Sequence, residues 1–167
     1  MSAVAPSPSC RRLDMTDLGP VAITAAEGAI ISMDFLPPDT PLGNNPREPL
    51  LEAAFTQLRE YLAGQRQTFE LPLAPVGTAF QKHIWTLLTK IPFGAVATYG
   101  EIAARAGRPN AARAVGSACH CNPIPVFIPC HRVVAAGGRL GGFGLGLELK
   151  QRLLDLEGAT AGKVAQR

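Results

Sequence analysis

No run of apolar residues in the 167-residue chain approaches the roughly 20 that span a bilayer, and the N-terminus lacks a charged start followed by an apolar block. These absences argue against a membrane-spanning helix or a secretory leader, so a soluble, cytoplasmic protein with no membrane partner is expected. Cysteine is sparse: there are four, and Cys119, Cys121 and Cys130 lie close together. That pattern does not suggest a secreted disulfide framework, and reduced thiols are expected instead. Charged residues make up only 17% of the chain and the net charge is +3. So mild a balance is compatible with a nucleic-acid partner without demanding one. No internal repeat is present. What the chain does have is 47% hydrophobic residues, enough for the core of one ordinary domain or of two small ones.

Residues 1–16, rich in Ala, Pro and Ser, have no periodicity and read as a disordered tail in which Cys10 is an incidental thiol. Two apolar segments, 21–25 and 29–35, flank the turn signal Glu27-Gly28 and predict a hairpin. The proline-rich residues 37–49 form a loop into a helix over 49–63. Leu51, Ala54, Phe55, Leu58 and Leu62 share one face of that helix, and Gly64 stands at its stop. A further strand is expected over 68–73, which completes a small α+β domain over 17–75.

A second, mainly helical domain is expected over 76–160, with a short tail at 161–167. Thr78 and Gln81 make a capping box ahead of Phe80, Ile84, Leu87, Leu88 and Ile91, which recur at helical spacing. His83 and Trp85 on this helix read as surface or packing residues. Thr98 and Glu101 repeat the capping box for a helix over 99–106. Gly107 and Pro109 then turn the chain, and Asn110 is positioned to cap a helix over 111–119. The pair predicts a helix-turn-helix.

The candidate chemistry concentrates between Asn122 and Val134. Pro125 and Pro129 bracket Val126, Phe127 and Ile128, a run too short for a helix, which predicts a buried strand with Cys130 at its exit. A cysteine is nucleophilic only as thiolate, and a base reaching it directly or through one water generates that form at neutral pH. His131 is the neighbouring candidate. In the Leu-rich helix over 147–157, Glu157 lies four after Leu153 and three after Leu154, so a carboxylate sits near the apolar face. Buried carboxylates need partners, and a glutamate orienting an imidazole beside a thiol follows triad logic. On the second helix of the helix-turn-helix, Arg113 is the only long polar side chain among Ala111, Ala114, Gly116 and Ser117. Small residues let a backbone approach a narrow groove into which one cation can insert. Packing of Ala111, Ala114 and Ala118 against another helix is the alternative.

Pro129-Cys130-His131-Arg132 after Asn122-Pro123, followed by Gly141-Gly142-Phe143 and a helix ending in Glu157, resembles the O6-alkylguanine-DNA alkyltransferases over roughly residues 18–158. The resemblance implies a ribonuclease H-like N-terminal domain. It also implies a monomeric DNA repair protein that needs no cofactor and no metal. Such a protein flips O6-alkylguanine, mainly O6-methylguanine, out of duplex DNA through the minor groove with no strong sequence preference. It takes the alkyl group irreversibly onto Cys130, once per molecule. His131, oriented by Glu157, would take the thiol proton through a water. By the same resemblance Asn122 ties the helix-turn-helix to the active-site segment, and Tyr99 crowds the target phosphate and donates its hydroxyl to the guanine. Arg113 occupies the space left by the flipped nucleotide, while Val133, Phe143, Gly144 and Leu145 line the pocket. Flipping costs a few kcal/mol of unstacking and unpairing, which Arg113 would partly offset.

Two residues depart from the family pattern. Phe143 stands where Tyr is usual, and Leu145 replaces a glycine, so a narrower pocket is expected: poor reaction with free O6-benzylguanine, improved by Leu145→Gly. Three other classes compete. A thiol hydrolase would use the same Cys-His-Glu set. A non-catalytic alkyltransferase-like DNA-binding protein would carry another residue, typically Trp, in place of Cys130. A metal module could draw on Cys119, His120, Cys121, Cys130 and His131, although their Cys-x-Cys spacing is tighter than the usual zinc patterns.

Overall fold

Glu27 and Gly28 both hold positive φ, 52° and 78°, the conformation that a two-residue hairpin turn of the primed type requires. The sheet of the first unit grows from this turn. Strands β2 (Gly19–Ala26) and β3 (Ala29–Phe35) pair antiparallel, with a register shift at Thr24/Ala25. In this computed structural model, which describes residues 9–159, the chain divides into two units, Met1–Val76 and Gly77–Arg167.

Part of the stretch read as a disordered tail is ordered. Cys10–Thr16 form β1, which pairs antiparallel with β2 and completes a sheet of order β1-β2-β3. Its apolar signal is weak because Arg12 and Asp14 take part in an ion network, with Arg59 to Asp14 at 2.7 Å and Arg12 to Asp14 at 3.3 Å. The Arg12 and Arg59 guanidiniums lie over the Phe55 ring at 5.8 and 5.7 Å. Long charged side chains thus cover apolar surface where an alternating pattern would have used hydrophobes. The first eight residues, and the expected tail at 161–167, lie outside the described residues.

Helix α1 (Pro49–Leu62) buries Leu51, Ala54, Phe55, Leu58 and Tyr61. Glu48 caps it, accepting from the Leu51 amide at 2.8 Å, and Gly64 follows its end at φ 76°. The strand expected over 68–73 does not form; Leu73 makes only an isolated bridge to Ile30. Pro72 and Pro75 have no N–H to extend a ladder. Glu70 instead bonds the Gln57 side chain through both its amide (2.9 Å) and its carbonyl (3.3 Å).

The second unit is helical. α2 (Ala79–Leu88) and α3 (Tyr99–Arg105) each start with the full capping box predicted for them, at Thr78/Gln81 and Thr98/Glu101. α4 (Ala112–His120) completes the helix-turn-helix. Its N-cap is Ala111 without a side-chain cap, not Asn110, because the turn closed by Ala111 N to Arg108 O (2.9 Å) takes up Asn110. Trp85 is buried and donates its indole N–H to Ala118 O at 2.8 Å, locking α2 to α4. Residues 126–128 are buried as expected but form no strand. Val126 sits at φ 75° in a tight turn closed by the Pro125/Ile128 bridge. Cys130–Arg132 form a 3-10 turn that runs into β5 (Val133–Val134), which pairs in parallel with β4 (Ala97–Thr98). α5 (Leu147–Leu156) ends at Glu157 and buries Lys150, Leu153 and Leu154. Among the described residues no helix is long and apolar enough to cross a membrane.

Candidate active site

The short parallel ladder Ala97/Val133 and Thr98/Val134 sets the site's geometry. Tyr99, the first residue of α3, leaves the end of one strand, and the turn holding Cys130 and His131 leads into the start of the other, so in this two-residue parallel pair they flank the ladder from opposite ends. Together with α4 and the 142–144 segment they enclose a cleft of about 660 Å³. Tyr99 and Cys130 line it beside Ala112, Arg113, Gly116, Cys119 and His120 of α4 and Gly142, Phe143 and Gly144.

Cys130 is 4% exposed. Burial pushes its thiol up, opposed by the Asn122 side chain, the Lys150 charge and the backbone amides of Cys130 and His131. The thiol is therefore protonated at rest and has to be ionised for chemistry. Asn122 shapes the approach: its Nδ2 donates to Ile128 O at 2.8 Å and its Oδ1 accepts from Ile124 N at 3.0 Å. The turn leading to Cys130 is thus bonded from within.

Behind the thiol lies a buried ionic network. Glu157 Oε2 meets His131 Nε2 at 2.6 Å, and Arg132 reaches the same carboxylate twice, Nε to Oε1 at 2.8 Å and Nη2 to Oε2 at 3.1 Å. Gly94 N donates to Oε1 at 3.3 Å, and Arg132 Nη1 donates to Ile91 O at 2.7 Å. Burial alone would raise the Glu157 carboxyl, but its bonds to His131 and Arg132 outweigh this and hold it at about 2. Burial lowers the His131 imidazole despite the carboxylate beside it. A neutral ring facing an ionised carboxylate carries its proton on Nε2. Its Nδ1, buried and without a hydrogen-bond partner, therefore keeps a free lone pair.

Tyr99 donates its hydroxyl to Gly142 O at 3.2 Å, and burial together with Cys119 and Cys130 pushes the phenol up to about 12. It remains a donor at neutral pH. Cys119 is likewise pushed up to about 12, by burial and then by Cys130. Arg113 is exposed and lines the cleft together with Gly116, while Ala114 and Ser117 are exposed on α4 outside the lining, and the N-cap Ala111 is half-buried and also outside it. Two expected pocket residues do not line the cleft. Val133 is fully buried, with its carbonyl bonded to Lys150 Nζ at 2.6 Å, and Leu145 is 41% exposed outside the lining. Phe143 and Gly144 do line it. A side chain at Gly144 would press on His120, with a Cβ 3.0 Å from its Nδ1. Among the described residues no three His, Cys, Asp or Glu side chains are placed to hold a metal ion.

Sequence reasoning missed Arg132 as the carboxylate's second partner, the cleft positions of Cys119, His120 and Gly142, and Lys150. A signal for Lys150 was present: it precedes Leu153 by three, Leu154 by four and Glu157 by seven, so it shares their buried face.

Residues 79–159 match the family described as 6-O-methylguanine DNA methyltransferase, DNA binding domain, and residues 11–75 match its ribonuclease-like domain. The chain is 42% identical over 149 residues to a methylated-DNA--protein-cysteine methyltransferase of Methanosarcina acetivorans, covering 85% of this chain and 94% of that one. It is similar to the crystal structure of Mycobacterium tuberculosis O6-methylguanine methyltransferase, with a TM-score of 0.79 and 36% identity over 90% of this chain and 93% of that one. It is also similar to the M. tuberculosis OGT structure in complex with DNA, with a TM-score of 0.80 and 37% identity over 91% and 96% of the two chains.

Proposed function

Since the chain belongs to the 6-O-methylguanine DNA methyltransferase family, we propose that it repairs duplex DNA by moving an alkyl group from guanine O6 to its own Cys130, once per molecule. The observation that carries this reading is the polarised imidazole beside the thiol. With Nε2 engaged by Glu157 and Nδ1 free, His131 can accept only on the ring nitrogen that has no protein partner. Water entering from the cleft relays the Cys130 proton to that nitrogen. The sulfur then attacks the alkyl carbon, a C–S bond forms, the C–O6 bond breaks, and its electron pair returns to the guanine. The guanine leaves as an anion and takes up from water a proton equivalent to the one Cys130 released, while the Tyr99 phenol, which keeps its own proton, offers a hydrogen bond to the departing base within the cleft. The product thioether has no good leaving group, so no later step regenerates the thiol.

The cleft volume of about 660 Å³ falls in the range of ligand sites, roughly 300–1,000 Å³, and suits an extrahelical base. Arg113 at the rim of α4, among alanines and Gly116, fits a helix whose backbone enters the minor groove while one cation fills the gap left by the flipped nucleotide. Phosphate contacts then dominate affinity, giving a steep salt dependence and little sequence preference.

The test is to incubate the full chain with a duplex bearing O6-methylguanine and to weigh the intact protein and its Cys130 peptide. One methyl per protein, on Cys130, with a Cys130→Ser variant that binds the duplex and gains nothing, is the expected result. Methyl on Cys119 or Cys121, or repeated turnover, overturns the reading.

A further inference from the structure

Lys150 is fully buried at the back of the cleft. Its Nζ donates to Val133 O at 2.6 Å and to Gly142 O at 3.3 Å, and lies 5.9 and 5.8 Å from the centres of the Tyr99 and Phe143 rings. Among the described residues it forms no ion pair. Carbonyl oxygens and aromatic faces offset part of the cost of burying an ammonium, but they are not a counter-charge. The buried Glu157 carboxylate is already bonded by Arg132 and His131.

Around Lys150 the groups able to become negative are Cys119 on α4 and Cys130 on the turn before β5, and the Tyr99 phenol of α3, whose ring lies 5.9 Å from Nζ; all three line the same cleft. Cys119 and Tyr99 are held protonated. Cys130 alone has the Asn122 side chain and the backbone amides of Cys130 and His131 directed at its sulfur. We propose that Lys150 is a positioning residue whose fixed positive charge, held by the Val133 and Gly142 carbonyls, waits for the Cys130 thiolate and stabilises it as it forms. This rests on Cys130 being the alkyl acceptor and extends that reading to how the thiolate is sustained. His131 removes the proton; Lys150 steadies the charge that remains. The same ammonium, with Arg132, disfavours a charged His131 in the resting site, which keeps the base ready to accept. The bland alternative is a clamp that only ties the 142 segment to β5.

The experiment uses the full chain with Lys150→Gln and Lys150→Met. Glutamine keeps a donor for the two carbonyls without the charge, and methionine keeps neither. The rate at which iodoacetamide labels Cys130 is followed against pH by peptide mass spectrometry, which needs no DNA, beside transfer from an O6-methylguanine duplex. Both variants should shift the labelling profile to higher pH by about one unit, with labelling at pH 7 and alkyl transfer each slower by about tenfold. A glutamine variant with the wild-type profile, whether or not methionine differs, reduces Lys150 to a clamp and overturns the proposal. Should neither variant fold, the wild type decides: by NMR of labelled lysines, Lys150 should lose its proton at lower pH once Cys130 is alkylated than while its thiol can ionise. An unchanged titration overturns the proposal. Failure of the wild type to take methyl from DNA would instead refute the repair reading, leaving the labelling profiles to judge Lys150.

Discussion

Glu157→Gln is the substitution for which the structure gives the fullest account. The carboxylate accepts from four nitrogens on His131, Arg132 and Gly94, and amide NH₂ must replace one of its oxygens. If the nitrogen takes the Oε1 place it faces Arg132 Nε and Gly94 N, now 2.8 and 3.3 Å away, two donor-to-donor conflicts. If it takes the Oε2 place it faces Arg132 Nη2 at 3.1 Å, one conflict, and the His131 contact at 2.6 Å survives only if Nε2 becomes the acceptor. The second arrangement costs less, and it moves the imidazole proton to Nδ1. The base is then lost through its tautomer, without any displacement of His131. Stability falls as well. A carboxyl held at about 2 instead of its usual 4.5 is worth about 3 kcal/mol to the folded chain at neutral pH. Removing one partner of a buried ion pair costs a similar amount, about 3–5 kcal/mol. The expected outcome is a drop of about 3 kcal/mol in urea unfolding at pH 7 and alkyl transfer slower by about 100-fold or more, measured by single-turnover kinetics where the variant remains folded. A loss below about 1 kcal/mol, or transfer within about threefold of wild type, would refute both the network's energetics and the tautomer argument. The sign with pH follows from the same groups. Glu157 has a depressed folded value, so its contribution is present above about 4.5 and is lost as pH falls toward 2. His131 is kept neutral by burial, so the unfolded chain binds its proton first, below about 6.5. Both make wild-type stability decline on acidification from neutral pH.

Arg113→Ala, at an exposed rim position, should slow repair of duplex substrate much more than reaction with a free alkylated guanine base; equal slowing in parallel assays would mean that Arg113 supports the pocket instead. Leu145→Gly reverses the expectation drawn from the sequence. Leu145 is outside the cleft lining, so its removal should leave the rate with free O6-benzylguanine within about twofold of wild type, and a large gain would show that the wall does include it.

The chain's sequence by itself determined the features whose partners lie within a few residues. The Glu27-Gly28 hairpin, the capping boxes of Thr78 with Gln81 and Thr98 with Glu101, the helix-turn-helix and the adjacency of Cys130 to His131 all follow from local dihedral preferences and from neighbours three or four residues apart. The placement of Glu157 on an inward helical face is legible in the same way. Only the tertiary structure decided what those features meet. Cys10–Thr16 became a strand because β2 offered an edge and α1 supplied Arg59 and Phe55 to its polar residues, whereas residues 68–73 found in Gln57 a partner for their backbone and formed none. Val126 turned where a strand was expected. Arg132 reached the carboxylate across 25 residues, and Lys150 reached Val133 across 17. The cost of a buried charge depends on groups brought from elsewhere in the chain, and the pattern of one segment does not contain them. That is why Cys130 and His131 could be picked out from the sequence as candidate nucleophile and base, while the charged groups that surround them could not.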